Sequence, residues 1–420
     1  MNSYDVAVIG GGPVGAVAAR YAAATGARTL LVDQGDGSCE PACCAGLVSP
    51  RTLSLLGTSS ASLLREIRGV IIHSPTGKQT EILSKKVSAI VLDRGALNRE
   101  LLKLAAQAGV EVRHHTRATI TGQARLHLSE PSRQREAKAR VVIGADGPRS
   151  MVASHFSLPS PPTFLAAVQA TIVREARASE MVEIFFGTKV APGFFAWAVP
   201  AKQHQLRVGL AATQGTDVNT LLNNLLSQRF PGQVISYVGG VIPIGSAAKT
   251  TTDGALIVGD AAGQLKPTSG GGIYTGGVCA KIAGEIAGYA SLAEKTTDET
   301  LKEYERRWQD KIGKELRFGL LAHRALYSLP DAKIEAGLAI INQPSILQAI
   351  TEYGDIDYPG MLASSLLSRQ DLWPRLLPLI PVVGGWEKLG NLTQLVISSE
   401  QPSHGHKPEN SDERKDSRQS

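Results

Sequence analysis

Three separated segments of the chain combine glycine with a carboxylate in the pattern that holds a dinucleotide. Gly10, Gly12 and Gly15 form G-x-G-x-x-G, and Asp33 ends the next apolar run, Thr29 to Val32. The first glycine permits a tight turn, the second lets backbone approach a pyrophosphate, and the third lets helix and strand close together. The helix then presents its open N–H groups to the phosphates, and an acid at Asp33 accepts hydrogen bonds from an adenosine ribose. A second apolar run, Ala255 to Val258, delivers Gly259 and Asp260 at the sheet edge where ligands of open α/β folds sit. Asp260 there suits a ribityl hydroxyl. Gly270, Gly271 and Gly272 precede an alanine-rich helical stretch, leaving its first N–H groups free for an electron-rich ring oxygen or a phosphate. A third run, Val141 to Ile143, leads to Gly144, Asp146 and Gly147, and Arg94 opens a further helix. Arg94 supplies a cation for a flavin or its phosphates, with a surface ion pair as its competing role. A simple NAD domain needs only the first segment, so the set implies FAD.

The elements that position these residues follow from periodicity. Tyr4 to Ile9, Val14 to Ala24 and Thr29 to Val32 read as strand, helix and strand, a βαβ unit. Ala96 to Ala108 reads as a helix ending at Gly109, Val110 to Arg113 as a strand, and the polar stretch Gly122 to Arg140 as a separator. Short alternating runs, Phe164–Val173, Met181–Phe186, Phe194–Val199 and Gln205–Ala211, predict an inserted sheet. Leu301, Tyr304, Trp308 and Ile312 recur at helical spacing and predict one buried helix face. The expected architecture is α/β: a Rossmann-like FAD-binding domain over residues 1–158 and 244–295, an antiparallel-sheet substrate domain over 159–243, a C-terminal helical region over 296–398, and a disordered tail over 399–420.

Composition excludes several function classes. With 43% hydrophobic and 20% charged residues the chain is of ordinary globular type. Its 44 Lys and Arg against 38 Asp and Glu leave a net charge of +6, compatible with anionic ligands or an anionic membrane face. No dense basic run with interleaved aromatics occurs, so no nucleic acid is expected. Cys39, Cys43 and Cys44 cluster, but the only other cysteine is the distant Cys279, so neither a metal site nor a disulfide framework is expected. No apolar run is long enough to span a bilayer, and the start of the chain lacks an export signal; a cytoplasmic setting is the expectation.

With these residues in place, the chain resembles the flavoprotein superfamily of para-hydroxybenzoate hydroxylase type over roughly residues 4–295, through the segments around Gly10, Asp146 and Asp260. Within it, three stretches resemble the geranylgeranyl reductase family: Cys43-Cys44-Ala45-Gly46-Leu47-Val48-Ser49, Pro192 to Pro200, and Pro267 to Tyr274. The family's middle motif is Tyr-x-Trp-x-Phe-Pro; Trp197 and Pro200 match it, while Phe195 stands where the family has tyrosine and lacks its hydroxyl. The resemblance implies reduction of isoprenoid C=C bonds on a prenyl diphosphate, an ether lipid, a chlorophyll precursor or a quinone tail. It aligns Cys44 with the family's cysteine beside the flavin, as proton donor or tuner, with Cys43 ranked below it. Phe185, Phe186, Phe194, Phe195 and Trp197 then become apolar walls for a polyprenyl chain, Phe195 and Trp197 foremost.

An external electron donor is also implied. No second glycine fingerprint for NADPH stands out, which leaves ferredoxin, a deazaflavin or a transiently bound nicotinamide. Leu372 to Trp386 is too short and proline-broken to span a membrane, but it suits a tunnel cap or a bilayer surface, so peripheral membrane contact is expected. The competing functions are an aromatic hydroxylase, a flavin halogenase whose Trp-x-Trp-x-Ile-Pro motif resembles Phe195 to Pro200, and a non-catalytic flavin-bearing lipid carrier.

Overall fold

The first apolar run becomes the central strand of the larger sheet in the computed structural model, which describes residues 1–38, 44–122, 125–369 and 374. Asn2–Ile9 pairs in parallel with Thr29–Val32 on one side and with Arg133–Gly144 on the other. Glu111–Arg113 and Ala255–Ile257 extend the parallel array at its two flanks. Strands buried on both faces need continuous apolar sequence, and Val6, Ala7, Val8, Leu30, Leu31, Val142 and Ile143 are all fully buried. The carboxyl ends of these strands converge, so Gly10, Asp33, Gly144 and Gly259 lie along one edge.

The polar stretch expected as a separator is part of this sheet. Arg117–Thr121, Arg125–Glu130 and the first half of Arg133–Gly144 form an antiparallel meander, whose last strand runs straight on into the parallel array. Its alternation of exposed Arg and Lys with buried Ala137 and Ala139 is that of a strand with one wet face.

Helices Pro13–Ala24, Arg94–Gln107 and Ile273–Leu292 share the core on one face. Pro13–Ala24 packs against Ile273–Leu292 through small residues: a Cβ on Gly284 would sit 2.2 Å from the Ala18 carbonyl oxygen. The face of Asp298–Trp308 predicted from spacing is buried, with Leu301 and Tyr304 at 0% exposure.

The second, seven-stranded sheet stands over the cofactor edge. Thr163–Val173, Ala196–Pro200, Gln205–Thr213 and Gln233–Ile244 are antiparallel, and Met181–Phe185 joins them. Gly69–His73 and Gln79–Leu83 complete it, the former in parallel with Met181–Phe185. That hairpin lies in the segment that sequence grouped with the cofactor domain; nothing local in it announces a partner more than 100 residues away. One face of the sheet packs on helix Val218–Arg229, and the other faces the cofactor edge. A small third sheet ties Leu47–Val48 and Leu63–Ile67 to Ala89–Leu92.

The C-terminal residues after Asp298 are helical as far as Ser368. Residues 370–373 and 375–420, with the Leu372 to Trp386 stretch and the expected tail, lie outside the described residues. No helix among the described residues is long and apolar enough to cross a membrane.

Candidate flavin and substrate site

The glycine fingerprint is built for close approach. Gly10 adopts φ +106°, and a Cβ there would lie 2.3 Å from the Ala145 carbonyl oxygen, so only glycine is tolerated. A Cβ on Gly15 would lie 1.9 Å from the Gly10 oxygen, which is the helix-to-strand contact its position requires. Gly12 differs: nothing lies within 4 Å of a Cβ placed on it. It precedes the first turn of Pro13–Ala24 without any side-chain cap, so open space meets a helix N-terminus there, a cradle for a pyrophosphate. Asp33 accepts from Gly11 N at 2.5 Å and from Gly35 N at 2.7 Å, which fixes the carboxylate at the strand end. A cleft lined by Asp36, Gly37, Arg99, Leu102, Lys103 and His114 adjoins it.

Asp260 sits on the short 3-10 turn after Ala255–Ile257. Gln264 accepts from Gly259 N at 2.9 Å and donates to the Tyr304 hydroxyl at 2.8 Å, and Tyr304 in turn donates to the Ile257 carbonyl at 3.0 Å. This chain of hydrogen bonds holds the strand end that presents Asp260. Burial pushes the Asp260 carboxyl above its ordinary range, against the opposing effect of Arg94. Arg94 is 8% exposed, and its Nε is buried without a hydrogen-bond partner. That position is far from a surface ion pair, and a buried guanidinium N–H left unmatched points to an acceptor supplied by a ligand. The open cradle at Gly12, the strand-end acids and this orphaned donor together fit FAD.

Asp146 has a different role from the other acids. Its oxygens accept from Ser150 Oγ at 2.6 Å and Val152 N at 3.1 Å, shaping the turn that carries Gly147 at φ +84° with open space around it. A Cβ on Gly270, at φ +71°, would lie 3.3 Å from Ile242 and 3.9 Å from Phe194. A Cβ on Gly272 would touch Asp260 Oδ1 at 3.1 Å, so the glycine loop and the acid belong to one site.

Cys44 lies beside this edge, partly buried, with Gly46 N donating to its Sγ at 3.3 Å. Its loop is tied to the strand that ends in Asp93 and Arg94: Leu92 N donates to the Gly46 carbonyl at 2.9 Å. Cys39 and Cys43 lie outside the described residues.

Above them is the inner face of the second sheet. Alternation places Phe195, Trp197 and Val199 on that face beside Arg207, Gly209 and Ala211 of the next strand. Trp197 lies over Gly209, where a Cβ would meet the indole at 2.6 Å, and its Nε1 donates to Gln169 at 3.1 Å. Phe194 and Phe195 stack at 4.4 Å, and Phe186 reaches Phe195 at 6.1 Å. Phe185 does not line this face. Its ring stacks on His73 at 4.1 Å and meets Phe230 at 5.6 Å in the core beneath helix Val218–Arg229, because neighbours along a strand point to opposite faces.

Two residues of helix Lys314–Leu326 and its end, unmarked in the sequence, complete the wall. Tyr327 packs on Phe194 at 4.9 Å and donates to the Thr268 carbonyl at 2.9 Å, and His323 lies 5.8 Å from Phe194. The phenol absent at Phe195 therefore has no replacement at that position; the cluster's phenol comes from Tyr327. The helical spacing around them gave no sign of this, since the same pattern marks ordinary packing.

With the geometry in hand, the relatives can be placed. Residues 3–216 match the FAD binding domain family. A digeranylgeranylglycerophospholipid reductase of Methanocaldococcus jannaschii is 34% identical over 79% of this chain and 89% of its own length. The chain belongs to the geranylgeranyl reductase family of FAD-binding flavoproteins. Digeranylgeranylglycerophospholipid reductase 2 of Methanothermobacter thermautotrophicus is 31% identical over 86% of this chain and 98% of its own length. The solved structure of a geranylgeranyl bacteriochlorophyll reductase-like protein from Thermoplasma acidophilum has the same fold, with a TM-score of 0.78 at 22% identity over 91% of this chain and 100% of that one. In this reductase-family chain FAD is the cofactor.

Proposed function

We propose that the protein is an FAD-dependent reductase that saturates isoprenoid C=C bonds of a prenyl ether lipid of the digeranylgeranylglycerophospholipid class. The observation that carries this reading is the aromatic wall of Phe194, Phe195, Trp197 and Tyr327 standing directly on the glycine loop at Gly270 and Thr268. A polyprenyl chain laid along it is desolvated beside the cofactor loop and the Cys44 loop. When bound, reduced FAD would supply the hydride chemistry at the alkene. Gly12 and Asp33 bind the adenosine and pyrophosphate end, Asp260 and Arg94 orient the ribityl end, and the aromatic wall excludes water. Cys44 supplies the proton for the second carbon, as general acids do for a weak acceptor.

The electron donor is external, and the net charge of +6 favours peripheral attachment to an anionic bilayer that holds the substrate. Flotation with anionic vesicles that is lost at high salt is the expected result; flotation indifferent to salt refutes electrostatic attachment.

The decisive experiment reduces the protein with dithionite under anaerobic conditions and adds a geranylgeranyl ether lipid. Flavin reoxidation with gain of two hydrogens per saturated bond supports the reading. Hydroxylation of an aromatic that requires oxygen would establish a monooxygenase instead, and tight lipid binding without reoxidation a carrier.

A further inference from the structure

Arg207 carries a buried charge with no obvious client. It is 8% exposed, and among the described residues no carboxylate lies within ion-pair distance of it. Its Nη1 donates to the Ala45 carbonyl at 2.7 Å and to the Leu92 carbonyl at 3.2 Å. A guanidinium taken out of water and matched only to carbonyls is costly, so a position that keeps one calls for a reason. The two carbonyls identify the place. Ala45 follows Cys44, and Leu92 precedes Asp93 and Arg94, so a residue of the second sheet pins the cysteine loop to the strand that carries the flavin-side cation. Gly46, at φ +76°, makes this possible: a Cβ there would lie 2.7 Å from Arg207 Nη1 and 2.6 Å from the Leu92 oxygen.

The charged or titratable groups that face Arg207 are Cys44, Asp93 and Arg94. Asp93 is already engaged, accepting from Ala96 N at 3.0 Å and pairing with Lys202 at 3.1 Å. Arg94 adds a second positive charge. The thiol of Cys44 is therefore the remaining group in reach that can become an anion beside a cation without a counterion.

We infer that Arg207 is a positioning residue for Cys44, holding its loop at the cofactor edge and stabilising the thiolate that remains after the thiol gives up its proton. The inference rests on the proposed proton donation by Cys44. In that step hydride forms one C–H bond, the S–H bond breaks, its proton forms the second C–H bond, and the electron pair stays on sulfur opposite Arg207. Water later returns the proton. A fixed cation lowers the energy of the charged product. Burial weakens the guanidinium's hold on its own proton, while Cys44 and Asp93 act the other way.

The test reads the thiol directly. Cys279 is fully buried, so in FAD-loaded protein carrying C39S and C43S the accessible thiol is Cys44, and its rate of alkylation by iodoacetamide is followed against pH. R207M is expected to raise the midpoint by at least about one pH unit, a roughly tenfold slower reaction near neutrality, with flavin content and circular dichroism unchanged. R207K keeps the charge and retains most of the parent profile. D93N keeps the helix cap but removes the competing carboxylate, and lowers the midpoint. If R207M does not fold, R207K and D93N still decide. Profiles that superimpose on the parent in R207M, or in D93N when R207M is lost, overturn the inference, as does R207K behaving like R207M. The readout is separate from turnover: a shifted profile together with normal reduction by C44S removes Cys44 from the chemistry but leaves its coupling to Arg207, whereas an unshifted profile with slow C44S does the opposite.

Discussion

Gly12→Val separates the cofactor's demand on the fingerprint from the fold's demand. A Cβ at Gly12 meets no atom within 4 Å, and its φ of −66° suits any L-residue. The valine side chain therefore extends into open space at the helix N-terminus, where the pyrophosphate is proposed to bind. The apoprotein should lose no more than about 1 kcal/mol, the scale of replacing glycine by valine next to a helix start. FAD loses far more. Displacing the pyrophosphate from two backbone N–H groups removes hydrogen bonds to a charged partner worth about 1.5–3 kcal/mol each, so about 3–6 kcal/mol in all, or roughly a hundredfold to ten-thousandfold in Kd. Titration of apoprotein with FAD, followed by flavin fluorescence, measures the affinity, and thermal unfolding without FAD measures the fold. Gly15→Ala is the control with the opposite signature: its Cβ would lie 1.9 Å from the Gly10 oxygen, so the apoprotein itself should be destabilised by at least about 1–3 kcal/mol. Unaltered FAD affinity in Gly12→Val refutes the placement of the pyrophosphate, and a large loss of apoprotein stability refutes the claim that the space is open.

Cys44→Ser should keep fold and flavin but slow single-turnover reoxidation by a polyprenyl lipid about a hundred- to ten-thousand-fold, while Cys43→Ser reoxidises normally; parent-like rates in both remove the thiol from the chemistry. Because burial raises the Asp260 carboxyl in the folded apoprotein, the folded state binds that proton more tightly than the unfolded chain does. The group thus opposes folding increasingly as pH rises from about 4, the unfolded value. Apo Asp260→Asn should match wild type below that pH and exceed it in melting temperature above, with weaker FAD binding; a constant gap across pH contradicts the burial argument. Gly209→Val should push the Trp197 indole, which a Cβ there would meet at 2.6 Å, off the sheet and raise KM for the lipid with FAD content intact, measured by steady-state kinetics; an unchanged KM places the substrate elsewhere.

The cofactor half of the site was legible in the chain because its signals are local. The turn at Gly10, the close contact of Gly15, and the acids at the ends of Thr29–Val32 and Ala255–Ile257 each follow from a few consecutive residues, and a strand end dictates where its next side chain appears. The superfamily resemblance rested on the same short segments, and the narrower family resemblance on three others, Cys43 to Ser49, Pro192 to Pro200 and Pro267 to Tyr274. The substrate half was only partly readable. The family resemblance marked Phe195 and Trp197, but it could not assign faces: which of Phe185 and Phe186 meets the aromatic wall depends on strand parity against Gly69–His73, a partner set by long-range pairing. Tyr327 and His323 look like any helix face until that helix docks on the glycine loop at Thr268. Arg207 is one cation among 44 Lys and Arg; only the packing of the second sheet over the Cys44 loop buries its charge against the Ala45 and Leu92 carbonyls. Local sequence determines what a residue's backbone and immediate neighbours can do, whereas burial, counterions and the meeting of distant side chains are properties of the assembled layers, and these the tertiary structure alone decided.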